Sequence, residues 1–151
     1  MTQAPRVLLV DDNPGDAQLV CEAAATSGHH SQIRVAADGD GALEYLRQNG
    51  AIRPDLIILD LNLPGRKGSE VLKQIKSDPH LRRIPVVVFS TSQYGRDLAR
   101  CYELGANCYV CKPVDMDDFM ATVRSIEEFW FKSVTLPEED SEWNSSPQAC
   151  S

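Results

Sequence analysis

Positive charge is in short supply. Fifteen lysines and arginines face 22 aspartates and glutamates, a formal net charge of -7. With no cationic excess there is little counterion release to gain, which argues against nucleic acid or an anionic membrane as the general partner. Long hydrophobic runs are missing as well. The apolar stretches are a handful of residues long, so no membrane span is expected and no secretory leader is read at the N-terminus. Cysteine is sparse and odd in number, with Cys21, Cys101, Cys108, Cys111 and Cys150. The pair Cys108-x-x-Cys111 falls in "NCYVCKP", a strand pattern, whereas redox pairs sit where a helix begins. No second Cys or His pair completes a zinc site. Reduced thiols and a cytoplasmic location are expected. There is also no internal repeat.

What the chain does contain is alternation. Short apolar runs, "RVLLV" (6–10), "QIRVAA" (32–37), "DLIILD" (55–60), "IPVVVFS" (84–90) and "NCYVCKP" (107–113), read as five strands. Helical patterns lie between them. The first opens at Asn13-Pro14-Gly15-Asp16, with proline suited to the first helical position, and carries Leu19, Ala23 and Ala24 as its stripe. The second turns Leu43 and Leu46 inward and ends before Gly50. The third, Lys67 to Ser77, has Val71, Leu72 and Ile75 as its stripe. The fourth is "RDLARCYELG", and the fifth places Met116, Phe119, Val123, Ile126 and Trp130 on one face. Five strands alternating with five helices predict an α/β fold, a doubly wound parallel sheet of order 2-1-3-4-5. Residues 1–136 form that domain. Residues 137–151 hold four acids and no base, and are read as an acidic, flexible tail in which Trp143 is the lone aromatic.

In such a sheet, ligands gather at the carboxyl ends of the strands, where strand order reverses. Asp11 and Asp12 follow the first strand and Asp60 ends the third. Three converging carboxylates repel, and burial worsens the conflict. A hard divalent cation, magnesium above all, resolves it. Ser90 ends the fourth strand and Lys112 the fifth, both on the same edge. One Asp after a strand is usually a cap or turn residue, and one Lys before proline is usually solvated. Five such groups at the ends of four strands suit phosphoryl transfer, with a carboxylate able to serve as nucleophile.

The stretches "VLLVDDNPGD", "PDLIILDLNLPGRKGSEVL", "IPVVVFSTS" and "LGANCYVCKP" resemble the receiver domains of two-component response regulators, over roughly residues 6–132. The resemblance implies a flavodoxin-like fold, with Asp60 as phosphoacceptor. It implies magnesium held by Asp12 directly, by Asp11 mainly through water, by Asp60 and by the Asn62 carbonyl. Lys112 and Ser90 would contact the phosphoryl group, and Tyr109 would be the switch aromatic. The Lys112–Pro113 bond would be cis, and Asn62 and Ser92 would tune the phosphoryl lifetime. "DDNPGD", "LDLNLPG" and the ending "IEEFWFKSVTLP" resemble more closely the short stand-alone regulators that partner with phytochrome-type histidine kinases. Phe129, Trp130 and Phe131 put apolar material all round the helix end, which suggests a partner surface. A two-fold homodimer through the fourth helix, fifth strand and fifth helix is expected.

The implied function is a single-domain response regulator, a phosphoacceptor rather than an enzyme, signalling by a conformational change. The alternative is a relay intermediate that passes its phosphoryl group to a second histidine protein. A flavin electron carrier would need a Ser/Thr- and Gly-rich phosphate loop where "DDNPGD" stands. A haloacid-dehalogenase-like phosphatase would need an acid where Asn62 stands.

Overall fold

The computed structural model describes residues 4–48, 50 and 52–137. The acidic segment 138–151, with Trp143 and Cys150, lies outside the described residues. The elements run β1 (Arg6–Val10), α1 (Pro14–Ala25), β2 (Gln32–Ala36), α2 (Gly39–Arg47), β3 (Leu56–Leu59), α3 (Gly68–Ser77), β4 (Val86–Ser90), α4 (Gly95–Glu103), β5 (Cys108–Cys111) and α5 (Met116–Glu128). A short π-helical turn, Phe129–Ser133, extends α5. All strand pairs are parallel and the order is β2-β1-β3-β4-β5, as expected.

Successive strand residues point to opposite faces, so each strand feeds two cores. Leu8, Val10, Ile57, Leu59, Val86 and Val88 meet α2, α3 and α4 through Leu43, Val71, Leu72, Ile75 and Cys101. Val7, Leu9, Leu56, Ile58, Val87 and Phe89 meet α1 and α5 through Val20, Ala23, Phe119, Val123 and Ile126. Leu56 to Leu59 are completely buried. Each such side chain contributes about 1.5–3 kcal/mol of hydrophobic stabilisation. Three helix starts, those of α1, α2 and α5, are capped by side chains: Asn13 accepts from the Asp16 amide, Asp38 from that of Gly41, and Asp115 from that of Asp118.

Several expectations need correction. The stripe of α1 runs through Ala17, Val20, Ala23 and Ala24, and Leu19 is only half-buried. Leu46 is half-buried too. β2 is an edge strand with much of its surface open, because among the described residues no strand pairs with its outer side. Met116 is exposed, since it occupies the first turn of α5 before that helix reaches the sheet. Trp130 is 9% exposed and packed in the α1–α5 core, so it has little surface for a partner; Phe131 is half-buried on the same core. Of the three aromatics only Phe129 is exposed. No peptide bond among the described residues is cis, so Lys112–Pro113 is trans; the long stem of Lys112 reaches the acids by itself.

Cys21, Cys101, Cys108 and Cys111 are free thiols, and the last two are plain β5 residues. Among the described residues no helix is long and apolar enough to cross a membrane.

Candidate functional site

The site forms where the chain leaves the carboxyl ends of β1, β3, β4 and β5. Backbone bonds continue just past the strands and fix the acids there. The Asp11 amide donates to the Ala36 carbonyl at 3.0 Å, and the Asp60 amide to the Val10 carbonyl at 2.9 Å. On the far side the Lys112 amide donates to the Ser90 carbonyl at 2.8 Å. Asp11 is 2% exposed and Asp60 6%, while Asp12 faces solvent. One oxygen from each of these three acids lies within 4.8 Å of the others. The predicted triad therefore converges.

Lys112 sits in the middle. Its Nζ donates to Asp11 Oδ2 at 2.8 Å, to Asp16 Oδ2 at 2.9 Å and to Asp60 Oδ2 at 3.0 Å. Burial acts to lower the lysine pKa, but its bonds to Asp11 and Asp16 and the charge of Asp60 outweigh that and raise it. The ammonium is fixed in its charged form. Burial pushes the Asp11 carboxyl up, against the opposing pull of Lys112 and the Asn13 amide. One cation among four acids leaves negative charge to be neutralised. The donor set is carboxylate oxygen, so the residues fit a hard divalent cation.

Asp16 was not anticipated as a site residue. It reads in the sequence as part of a helix start, but the first turn of α1 sits on the same edge as the acids and turns its carboxylate to Lys112. An acid one helical turn beyond the Asp11-Asp12 pair was the signal available.

Gly68 was also missed. A Cβ there would lie 2.2 Å from the Asp60 carbonyl oxygen and 2.6 Å from Leu61 Cα, both backbone. Only glycine lets α3 start this close to the acceptor. The Gly68 amide donates to the Leu61 carbonyl at 3.1 Å, and the Asn62 amide to Asp60 Oδ1 at 3.2 Å. Beyond this loop a hollow of about 550 Å³ lies between α3 and α4, lined in part by Asp12, Asn62, Lys67, Asp97 and Arg100.

Ser90 is fully buried, and its Oγ accepts from the Ser92 amide at 3.4 Å. Ser92 ties the β4–α4 loop together: its Oγ donates to Asp97 Oδ2 at 2.6 Å, and its carbonyl accepts from the half-buried Tyr109 hydroxyl at 2.7 Å. Ser90, Ser92 and Tyr109 thus form one linked group beside the acids. Residues 7–124 match the response regulator receiver domain model. The chain belongs to that family.

This receiver domain is 44% identical over 135 residues to response regulator Rcp1 of Synechocystis sp., covering 87% of this chain and 92% of that one. It is 40% identical over 144 residues to the probable methanogenesis regulatory protein FilR2 of Methanothrix harundinacea, covering 93% and 86%. Among solved structures it is similar to the phosphorylated cyanobacterial phytochrome response regulator RcpA, with TM-score 0.87, 46% identity and coverage of 90% and 100%. The Mn2+-bound form of Rcp1 gives TM-score 0.85 at 43% identity, with coverage of 89% and 99%. The chain is a response regulator receiver domain similar to both.

Proposed function

We propose that Asp60 takes a phosphoryl group from the phosphohistidine of a sensor histidine kinase of the phytochrome type. An Asp60 oxygen attacks phosphorus in line, the P–N bond breaks and its electron pair returns to the histidine ring, which leaves as neutral imidazole because its other nitrogen already carries a proton. Asp11, Asp12, Asp60 and the Asn62 carbonyl would hold magnesium, which when bound supplies positive charge opposite the transferring oxygens. Lys112 neutralises a further oxygen. The observation that carries this reading is the Lys112 ammonium 3.0 Å from Asp60, inside a cluster of carboxylates. The likeness to Rcp1 and RcpA supports the choice of kinase.

The new group brings charge and three strong acceptors. Ser90 turns its hydroxyl toward it and releases the Ser92 amide. Tyr109 then leaves the Ser92 carbonyl and fills the space behind Ser90. The outward face of α4 changes with the loop, and a contact made in only one state shifts the equilibrium toward it. Water later hydrolyses the acyl phosphate, with Asn62 and Ser92 setting its lifetime.

The output is protein contact in the cytoplasm. Tyr94, Leu98 and Tyr102, four residues apart on and before α4, form an exposed apolar line, and Val114 and Met116 are exposed at the start of α5. Such a line supports a two-fold homodimer through α4, β5 and α5. Sedimentation at micromolar concentration, with and without beryllofluoride, is expected to show dimer in at least one state; monomer in both rejects it.

Intact mass after treatment with acetyl phosphate and magnesium tests the chemistry. The wild type should gain one phosphoryl group and Asp60→Asn none. A missing adduct on the wild type, or an undiminished one on the variant, overturns the reading.

A further inference from the structure

We propose that Asp16 is the positioning residue for Lys112, holding the ammonium in place while its third hydrogen moves from Asp60 to the arriving phosphoryl group. This rests on Asp60 being the acceptor. An ammonium has three N–H donors, and here all three are committed, to Asp11, Asp16 and Asp60. Phosphorylation converts the Asp60 carboxylate into an acyl phosphate, so that bond must pass to a phosphoryl oxygen. Asp11 belongs to the metal cluster and is drawn to the cation. Asp16 alone serves the lysine and neither the acceptor nor the metal cluster.

The backbone is arranged to keep it there. The Asn13 amide donates to Asp11 Oδ1 at 2.9 Å, and Asn13 Oδ1 accepts from the Asp16 amide at 3.1 Å. Asp16 Oδ2 and Asp11 Oδ2 both accept from Lys112 Nζ. The four residues close a ring of hydrogen bonds. That ring ties the start of α1 to the lysine just past β5, across the sheet. The N-terminus of a helix also favours an anion in its first turn, where Asp16 sits. A short charge-assisted bond of this kind fixes direction as well as energy, and a loosely placed Lys112 would reach the phosphoryl oxygens less often.

The test follows adduct formation from acetyl phosphate by intact mass, and beryllofluoride affinity by titration, both with magnesium. Loss of one charge-assisted bond predicts Asp16→Ala slower by about tenfold and Asp16→Asn by about threefold. Asp16→Asn keeps the shape and the helix start, and serves if the alanine variant is unstable. The discriminating measurement repeats both substitutions in a Lys112→Ala background. A residue acting through Lys112 then changes beryllofluoride affinity less than twofold, whereas a merely structural one repeats its full loss. Magnesium affinity by calorimetry should stay within twofold in Asp16→Asn and fall in Asp12→Asn. Variants equal to wild type, undiminished losses in the Lys112→Ala background, or magnesium affinity falling with Asp16 would each overturn the proposal. A wild type that takes no phosphoryl group would instead overturn the Asp60 reading beneath it.

Discussion

At the amino end of the sheet, Glu127 on α5 is fully buried and accepts hydrogens from Ser27 Oγ at 2.7 Å and Ser31 Oγ at 2.6 Å. At the carboxyl end, Asp11 and Asp60 are almost as buried, but their partner is a cation shared with Asp16. Glu127 is one acid among neutral donors, clamping the α1–β2 loop to α5. Its lone pairs are used within the fold. The acids at the other end outnumber their cation, and a hollow opens beside them. Burial of a carboxylate therefore does not mark a site. Excess charge converging beside open space does.

Four measurements would break or sharpen that contrast. The largest effect is expected from Glu127→Ala, which strips the acceptor from two hydroxyls and should cost about 3–4 kcal/mol of stability. Chemical denaturation measures this, while the phosphoryl adduct on the folded fraction should be unchanged. A loss of adduct would mean that the two ends are coupled. Gly68→Ala should cost about 2–3 kcal/mol, because the methyl meets backbone that cannot move without shifting the acceptor. Here adduct formation should fall with stability, the mark of the carboxyl end.

Lys76 supplies the third test. Its Nζ donates to the Arg82 and Ile84 carbonyls, and burial pushes its pKa down from 10.5 to about 8. Below pH 8 the lysine is charged in both folded and unfolded chains, and the folded state bears the burial cost. Between about pH 8 and 10.5 the unfolded chain retains a proton that the folded one has released, so stability rises with pH. Wild type should gain on the order of 2 kcal/mol over Lys76→Met across that window. A pH-independent difference would show that the lysine stays charged. The smallest effect, about 1 kcal/mol, is expected for Ser31→Ala, since Ser27 still bonds to Glu127.

Much of this was legible in the sequence because buried parallel strands advertise themselves as unbroken apolar runs. Once β1, β3, β4 and β5 were placed, the residues just beyond their ends had to meet. Asp16 was hidden because its role depends on where the first turn of α1 points, which no linear pattern carries. Gly68 was hidden because its neighbour is a backbone oxygen, and close approach leaves no signature beyond the glycine itself. Trp130 was legible both as part of the inward stripe of α5 and, with its neighbours, as apolar surplus, and the fold buries it. A bulky aromatic at a helix end reads as surplus until the opposing core is known to have room for it.

The burial of Trp130 has an optical consequence. Its indole shares a core with Cys108, one residue before Tyr109 on β5. Indole emission responds to its surroundings, so it reports on the packing of the turn after α5 against β5. With Trp143→Phe removing the other tryptophan, the protein carries a built-in lamp on the strand that bears its switch, and movement of Tyr109 can be followed without attaching a dye.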